Sequence, residues 1–428
     1  MHLWKFGAAI AVAGVSFATA AIAEEAVRCS SRVDRVNVVP CVVAASLAVR
    51  AQRHELEAVE GRKLSVSPFL PSNPVLNASV ARRSIAGAPA VSNWQVSLSQ
   101  ELEIAGQRGA RKAAITAAVD AETSRVALVR RDVAATAWVT FFDVIAAVEA
   151  ERLALTLLAT SEVVATAARA RAEKGLIAPV DSDIADAALL RLSQARLAAS
   201  RQVFAARATL QALIGSDIGT APIAVDGELT PLAGVDGMAR GMLASAATRN
   251  PEVSALDSER RSMELRADAL RRARIPNPTV SAFIQNDGFN ERVFGVGIGL
   301  PIPIPGLVGR TYVGEIAEAE AHGRRAVAER DWAARQVLLE ANVALNAYET
   351  RRAEVAAFTS EKIARAEETL RALGQEIEAG RLAVRDAIFA QQTLIELLQA
   401  NVAAKRALCI ASVDLARAVG IALDGRNL

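Results

Sequence analysis

The sequence predicts a mainly α-helical protein with a small β part, built as two copies of one plan. Three observations carry that expectation. Residues 110–174 and 180–214 contain neither glycine nor proline. Pieces of the first half recur about 200 residues later, so that Val96, Leu98, Gly106 and Gly109 return as Val296, Ile298, Gly306 and Gly309. Each half also holds a pair of alternating segments about ten residues long, a strand period rather than a helix period.

Composition narrows the class. Of 428 residues, 52% are hydrophobic but only 4% aromatic, so Ala, Leu and Val carry the apolar content, as in long packed helices. The net charge of +2 comes from interspersed signs, which offers no patch for nucleic acid. Residues 1–23 read as a secretory signal: Lys5, an apolar run, then Ala21-Ile22-Ala23 as a small-residue cleavage site. No later run reaches the roughly 18 uncharged apolar residues of a membrane-spanning helix. Cys29 and Cys41 are a possible disulfide pair, with Cys409 alone on a helix.

The first repeat is expected over 24–215. It opens with a short helix over 42–62, followed by strands over 75–83 and 93–102. A long helix follows over 110–174, roughly 100 Å if unbroken. Its stripe Val126, Val129, Val133, Ala137, Phe141, Val144 and Val148 steps by three and four. A return helix covers 180–214.

Residues 216–235, rich in Gly and Pro, form a linker at mid-height, and a helix over 236–273, interrupted at Asn250-Pro251, is expected to stack on the helix 180–214. The second repeat, 236–420, then gives strands over 279–287 and 291–300, a long helix over 312–373, a return helix over 381–419, and a tail over 421–428. GLIAPVDSDIADAALLRLSQA from Gly175 aligns without a gap on GRLAVRDAIFAQQTLIELLQA from Gly380, matching Asp181 to Asp386. In the last strand Val293, Gly295, Gly297 and Gly299 alternate with Phe294, Val296, Ile298 and Leu300, leaving one apolar face and one nearly bare. Four such strands cannot close a membrane barrel, which begins at about eight, so several chains must share one or there is none.

The joints between strands and long helices differ in stiffness. Pro301, Pro303 and Pro305 end the fourth strand, because proline lacks the donor that a continuing ladder needs, and Gly306 and Gly309 follow. The twin joint keeps Gly106 and Gly109 but has Glu101, Glu103 and Ala105 in the proline places.

The segment SLSQELEIAGQRGARKAA, with the two hairpins, the two glycine turns and the ending LARAVG, resembles the TolC-like outer-membrane efflux proteins, and within them the heavy-metal and cation (CzcC- and CusC-like) branch. The resemblance implies a homotrimer, in which four strands per protomer make a twelve-stranded outer-membrane barrel continued by a long periplasmic helical barrel. It implies an exit duct, docked on a periplasmic adaptor and an inner-membrane, RND-type transporter, surrounded by outer-membrane lipid and doing no chemistry. The turns Gly175-Leu176-Ile177 and Gly380-Arg381-Leu382 fall where the family meets its adaptor, and Asp181 and Asp386 fall near its pore constriction. Three inward carboxylates would favour cations in a narrow lumen. Phe389 stands where some members carry a second acid. Each aspartate is equally well explained as a first-turn acid stabilised by its helix dipole. Arg381 and Arg385 flank the second turn and are candidates to pair with acids of a neighbouring helix.

No cofactor or enzymatic motif is readable. His54, His322, Met238, Met242 and Met263 form no ligand cluster at a recognisable spacing, and the Met238/Met242 pair is better explained by packing. Multidrug export and type I protein secretion use similar ducts, so cargo stays open. A periplasmic adaptor would have one helical hairpin, and a coiled-coil scaffold would leave the paired strands unexplained.

Overall fold

The computed structural model describes residues 32–84, 86–87, 89–215, 223–286, 291–302, 304 and 311–424. The expected leader, Cys29, Pro303, Pro305, Gly306 and Gly309 lie outside the described residues. Cys41 is disulfide-bonded and Cys409 is free and buried.

The chain opens with β1 (Arg32–Val33), α1 (Val38–Ala45) and α2 (Leu47–Ser65). Ser46 breaks what the sequence suggests as a single helix over 42–62: its backbone is extended and its hydroxyl accepts from Val49 N, capping α2. β2 (Val75–Arg83) and β3 (Val91–Glu101) lead into α3 (Gln107–Glu173), one unbroken helix, and α4 (Pro179–Ile214) returns alongside it. Then come β4 (Ala224–Val225), α5 (Val235–Met242), α6 (Ala246–Arg249) and α7 (Pro251–Ala273), followed by β5 (Thr279–Asn286) and β6 (Arg292–Gly299). The second hairpin is α8 (Val313–Ala357), α9 (Ser360–Glu378) and α10 (Val384–Val419).

Two further sequence expectations are corrected. The long helix expected over 312–373 breaks at Phe358–Thr359, where Thr359 is extended and its hydroxyl accepts from Lys362 N to start α9. The stacking of 180–214 on 236–273 is replaced by a different pairing. The end of α4 meets α1, with Gly215 placed against Ala45, while α7 begins beside Gly420 at the end of α10. The physical reason is α1 itself: VVPCVVAA has no polar face to offer water, and Leu210 and Ile214 of α4 join the cluster that covers Val38, Val39 and Val42.

Helix α3 organises the rest. Its N-terminal part packs on α2 and α7, fixed by Ser262 Oγ donating to Ala114 O over 2.9 Å and by the Arg125–Glu259 ion pair. Its C-terminal part packs on α4, α9 and α10, where Arg169 pairs with Asp186. Alanine at the contact positions lets these backbones approach closely, and Gly374 of α9 lies directly against Val163. The upper core centres on Trp138, Phe141 and Phe142, all fully buried, with Trp138 Nε1 donating to Leu423 O. This is also the stretch of α3 long and apolar enough to cross a membrane by composition, and most of it is buried here inside the protein. The lower core runs from Leu157 through Ala168 to Leu370, Leu373, Ile377 and Leu398.

β2, β3, β5 and β6 form one antiparallel sheet in the order β2-β3-β5-β6. The flanking helices keep that order, since α3 packs on α2 and α7, and α7 on α8. The sheet and the upper helical layer are therefore one continuous wall. The edge strands β2 and β6 each pair on one side only among the described residues.

Candidate functional site

Two features of the fold have the geometry of a working part: the two-faced sheet at one end and the paired turns at the other. In the sheet, residues paired across the strands share a face. One face shows the rows Leu76–Leu98–Ala282–Val296 and Ala78–Val96–Ile284–Phe294. The other shows Asn77–Ser97–Phe283–Gly295 and Ser79–Gln95–Gln285–Val293. The apolar face is not covered by the protein: Val80, Phe294, Val296 and Ile298 are 75–85% exposed. On the polar face the ring of Phe283 fills the space beside Gly295 and leaves no room for a Cβ there. The sheet thus has one apolar face, one more polar face and, among the described residues, two outer edges without a strand neighbour.

A polar knot ties this sheet to the helices. Gln107, only 1% exposed, accepts from Ala105 N and donates to Asn277 Oδ1 and Ile275 O, while Asn277 Nδ2 donates to Glu101 Oε1. One buried amide thus joins the two repeats at their joint. Gly106 caps α3 in the left-handed region, φ 72°, and a Cβ there would stand 2.9 Å from Arg272 Nη1. Gly109 has nothing within 4 Å where its Cβ would be. Pro301 is exposed, two residues past the end of β6. Gln107 was invisible to sequence reasoning, since a lone glutamine at a helix start carries no signal. Asn277 could have been flagged because Asn-Pro occurs in both halves.

At the other end both long helices stop in the same way. Gly175, φ 69°, closes α3 with Gly175 N donating to Ala172 O and Leu176 N to Arg171 O, both 2.9 Å. Gly380, φ 72°, closes α9 with Gly380 N donating to Ile377 O and Arg381 N to Glu376 O, both 3.0 Å. These are Schellman caps, which satisfy the last carbonyls and reverse the chain. Ile177 and Leu382 fold back onto the lower core, whereas Leu176 is 61% exposed.

The two turns are not equivalent. Arg171 Nη1 donates to Ile377 O over 2.6 Å and stands 2.9 Å from where a Cβ on Gly380 would be; around Gly175 the corresponding space is open. Arg171 occupies the place that Glu376 takes in the second repeat, a difference that the repeat alignment contains but that draws no notice without the contact. Glu376 is instead held by Arg381 through bonds of 2.7 and 2.6 Å, and this bidentate hydrogen bonding lowers its pKa and raises that of Arg381.

Asp181 and Asp386 are the third residues of α4 and α10, so both are first-turn acids at helix N-termini. Arg385 Nε donates to Asp181 Oδ1 over 2.9 Å, linking the start of α10 to the start of α4. Asp386 is exposed, and no ion pair holds it among the described residues. Phe389, one turn farther on, is 74% exposed. The structure thus brings together Asp181, Arg385 and the two turns. Arg381 does not reach a neighbouring helix as expected; it clasps the end of its own preceding helix, because Glu376 is the carboxylate that the turn itself presents.

No protein-family model and no curated protein matches the chain. Solved structures do. A membrane protein from Pseudomonas aeruginosa superimposes with a TM-score of 0.73 at 20% identity, over 90% of this chain and 92% of that one. CusC, whose structures concern folding and transmembrane channel formation, gives 0.72 at 14% identity over 90% and 92%. The outer membrane protein VceC from Vibrio cholerae gives 0.70 at 16% identity over 90% and 96%. At these identities the likeness speaks for architecture, and it spans nearly the full length of each protein. The fold of this chain is that of the TolC-like outer-membrane channels.

Proposed function

We propose that this protein is the outer-membrane component of a tripartite efflux pump, a passive exit duct rather than an enzyme. The observation that carries it is the sheet: four strands, apolar on one face and polar on the other, with both edges free and with the helical wall continuing the same order. Exposed edges of this length are a liability unless another chain pairs with them. Three copies give twelve strands, an even number large enough to enclose an aqueous lumen. The apolar face then meets lipid, the polar face lines the lumen, and the helices extend into the periplasm.

The paired turns become the narrow periplasmic end in this reading. Asp181 and Asp386 from three copies form a ring of negative potential, with Arg385 offsetting part of it until it is drawn away. Gly175, Leu176, Gly380 and Arg381, backed by the half-buried Ile177 and Leu382, form the surface offered to a periplasmic adaptor, behind which an inner-membrane transporter of the RND type supplies the cargo. Metal cations are the cargo class that an acidic constriction favours, with small toxic compounds as the alternative; Phe389 gives one ring where a second acid would give two.

Membrane fractionation with heat-modifiable migration tests the duct, because recovery wholly in the soluble periplasm would overturn it. A deletion strain challenged with divalent metals, silver, copper and a drug panel tests the cargo. Sensitivity confined to hydrophobic drugs would discard the metal assignment.

A further inference from the structure

The helical wall has two lateral faces that no other helix covers among the described residues. α2 packs on α3 and leaves Leu47, Ala51, His54, Ala58 and Gly61 exposed on its far side; α8 packs on α7 and leaves Gly314, Ala317, Ala321, Arg324 and Ala328 exposed on its far side. Both rows step by three and four residues, the spacing of a helix–helix seam. α2 runs toward the sheet and α8 away from it, so a copy set edge to edge with the next brings the two rows together antiparallel. A Cβ built on Gly61 or Gly314 has nothing within 4 Å, which leaves room for another backbone to approach closely. The heights of the rows also agree. Gln52 donates to Glu122 and Arg108 to Ser67 O between α2 and α3, Ser262 donates to Ala114 O between α3 and α7, and Met263 lies against Gly323 between α7 and α8. Carried across these contacts, Gly61 stands level with Ala321, Ala58 with Arg324 and His54 with Ala328, to within one helical turn.

The charges beside the rows are complementary. Glu55 and Arg62 flank the α2 row on one side and Arg50 on the other; Arg325 and Glu318 flank the α8 row on one side and Asp331 on the other. With the two surfaces of the wall kept continuous across the joint, Arg62 meets Glu318, Glu55 meets Arg325 and Arg50 meets Asp331, each pair of opposite sign. Within one copy these groups are loosely held, since Arg62 reaches Glu55 only at 3.9 Å and Arg325 is divided between Glu259 and Glu329. We infer that α2 of one copy packs antiparallel on α8 of the next, with Gly61 opposite Ala321, so that the upper helical wall closes on itself as the sheet does. Exposed ion pairs add little affinity, and their part here is to fix the register and the choice of partner. The occupant of both faces is a second copy of this chain, as the matched steps, heights and signs indicate, and the inference rests on the three-copy reading above.

Disulfide trapping in the full-length, detergent-solubilised protein tests it. α2 and α8 lie at opposite edges of one copy with α3 and α7 between them, so a link from Gly61→Cys to Ala321→Cys must join two copies. Native Cys41 is already disulfide-bonded and Cys409 is buried. Copper-phenanthroline oxidation of this double variant is expected to give covalent dimers and trimers on a non-reducing gel, several-fold more than Gly61→Cys with Ala328→Cys, about two turns farther along α8. Arg62→Glu should lower the assembled fraction, read by light scattering, and adding Glu318→Arg should restore it. An assembled protein that gives no link between positions 61 and 321, or links both pairs equally, overturns the seam and leaves the duct standing. A loss on Arg62→Glu that Glu318→Arg does not recover overturns the pairing that sets the register. If the unaltered protein scatters as a single copy, the three-copy reading fails and takes the seam with it.

Discussion

The internal repeat supplies a control experiment at the paired turns. Gly175→Ala and Gly380→Ala make the same backbone change in the same cap, φ 69° against φ 72°. Moving an L-residue into the left-handed region costs about 1–2 kcal/mol in either case. Only at Gly380 does the new Cβ meet a neighbour, Arg171 Nη1 at 2.9 Å, the atom that donates to Ile377 O. Displacing that half-buried guanidinium loses a charge-assisted hydrogen bond, about 1–2 kcal/mol more. Local opening of the second turn should therefore become about 30- to 700-fold easier, and of the first only about 5- to 30-fold, at 1.4 kcal/mol per decade. Amide exchange of residues 377–382 against 172–177 in the reconstituted protein measures the difference directly. Equal effects at the two turns would refute the role given to Arg171, and a larger effect at Gly175 would refute the assignment of the open space.

Three further outcomes are expected. Arg385→Ala removes the ion pair with Asp181, which is 67% and 22% exposed at its two ends, so stability should change by less than about 1 kcal/mol while single-channel conductance and cation selectivity rise; unchanged conductance would mean that this pair does not gate the end of the duct. Gln107→Ala leaves Ala105 N and Asn277 Oδ1 without partners in a buried joint and should cost about 2–3 kcal/mol, read as a lower melting temperature in detergent. Burial pushes the Cys409 thiol up to about 12, so the reactive thiolate is scarce at neutral pH, and maleimide should label it only after denaturation; labelling of the folded protein would show that the upper core opens.

The long helices and short strands were legible because each obeys one period over many residues. β2 occupies the expected 75–83, and α3 and α4 end within three residues of the expected 110–174 and 180–214. The break at Phe358–Thr359 was not legible because no glycine or proline marks it, and an N-cap residue type such as Thr359 does not by itself end a helical pattern; the extended backbone decides it. Stacking order was missed for a different reason. Which helix covers α1 depends on Leu210 and Ile214 meeting Val38 and Val42 across more than 160 residues of chain, and periodicity holds no information on such pairing. Among the candidate site residues, Asp181 and Arg385 were each visible, but their contact was not, because it joins side chains from different repeats.

The two repeats have diverged where their mechanics differ. α3 is one rigid rod from the sheet to the turn, whereas the second repeat reaches its turn through two rods, α8 and α9, joined at Thr359. A rod transmits displacement along its length; a jointed pair absorbs it at the joint. Arg171, at the end of the rigid rod, grips Ile377 at the end of the jointed one, and Arg385 of α10 grips Asp181 of α4. Both holds run from one hairpin to the other, and both are single charged contacts that a docking partner can replace without disturbing the lower core. A force on the turns should therefore move α9 and α10 about Thr359 while α3 and α4 stay in register with the sheet. Thr359→Ala, which removes the cap on Lys362 N at a cost of about 1 kcal/mol, should loosen the joint, read as faster amide exchange over residues 360–363; unchanged exchange there would mean that the joint does not depend on its cap.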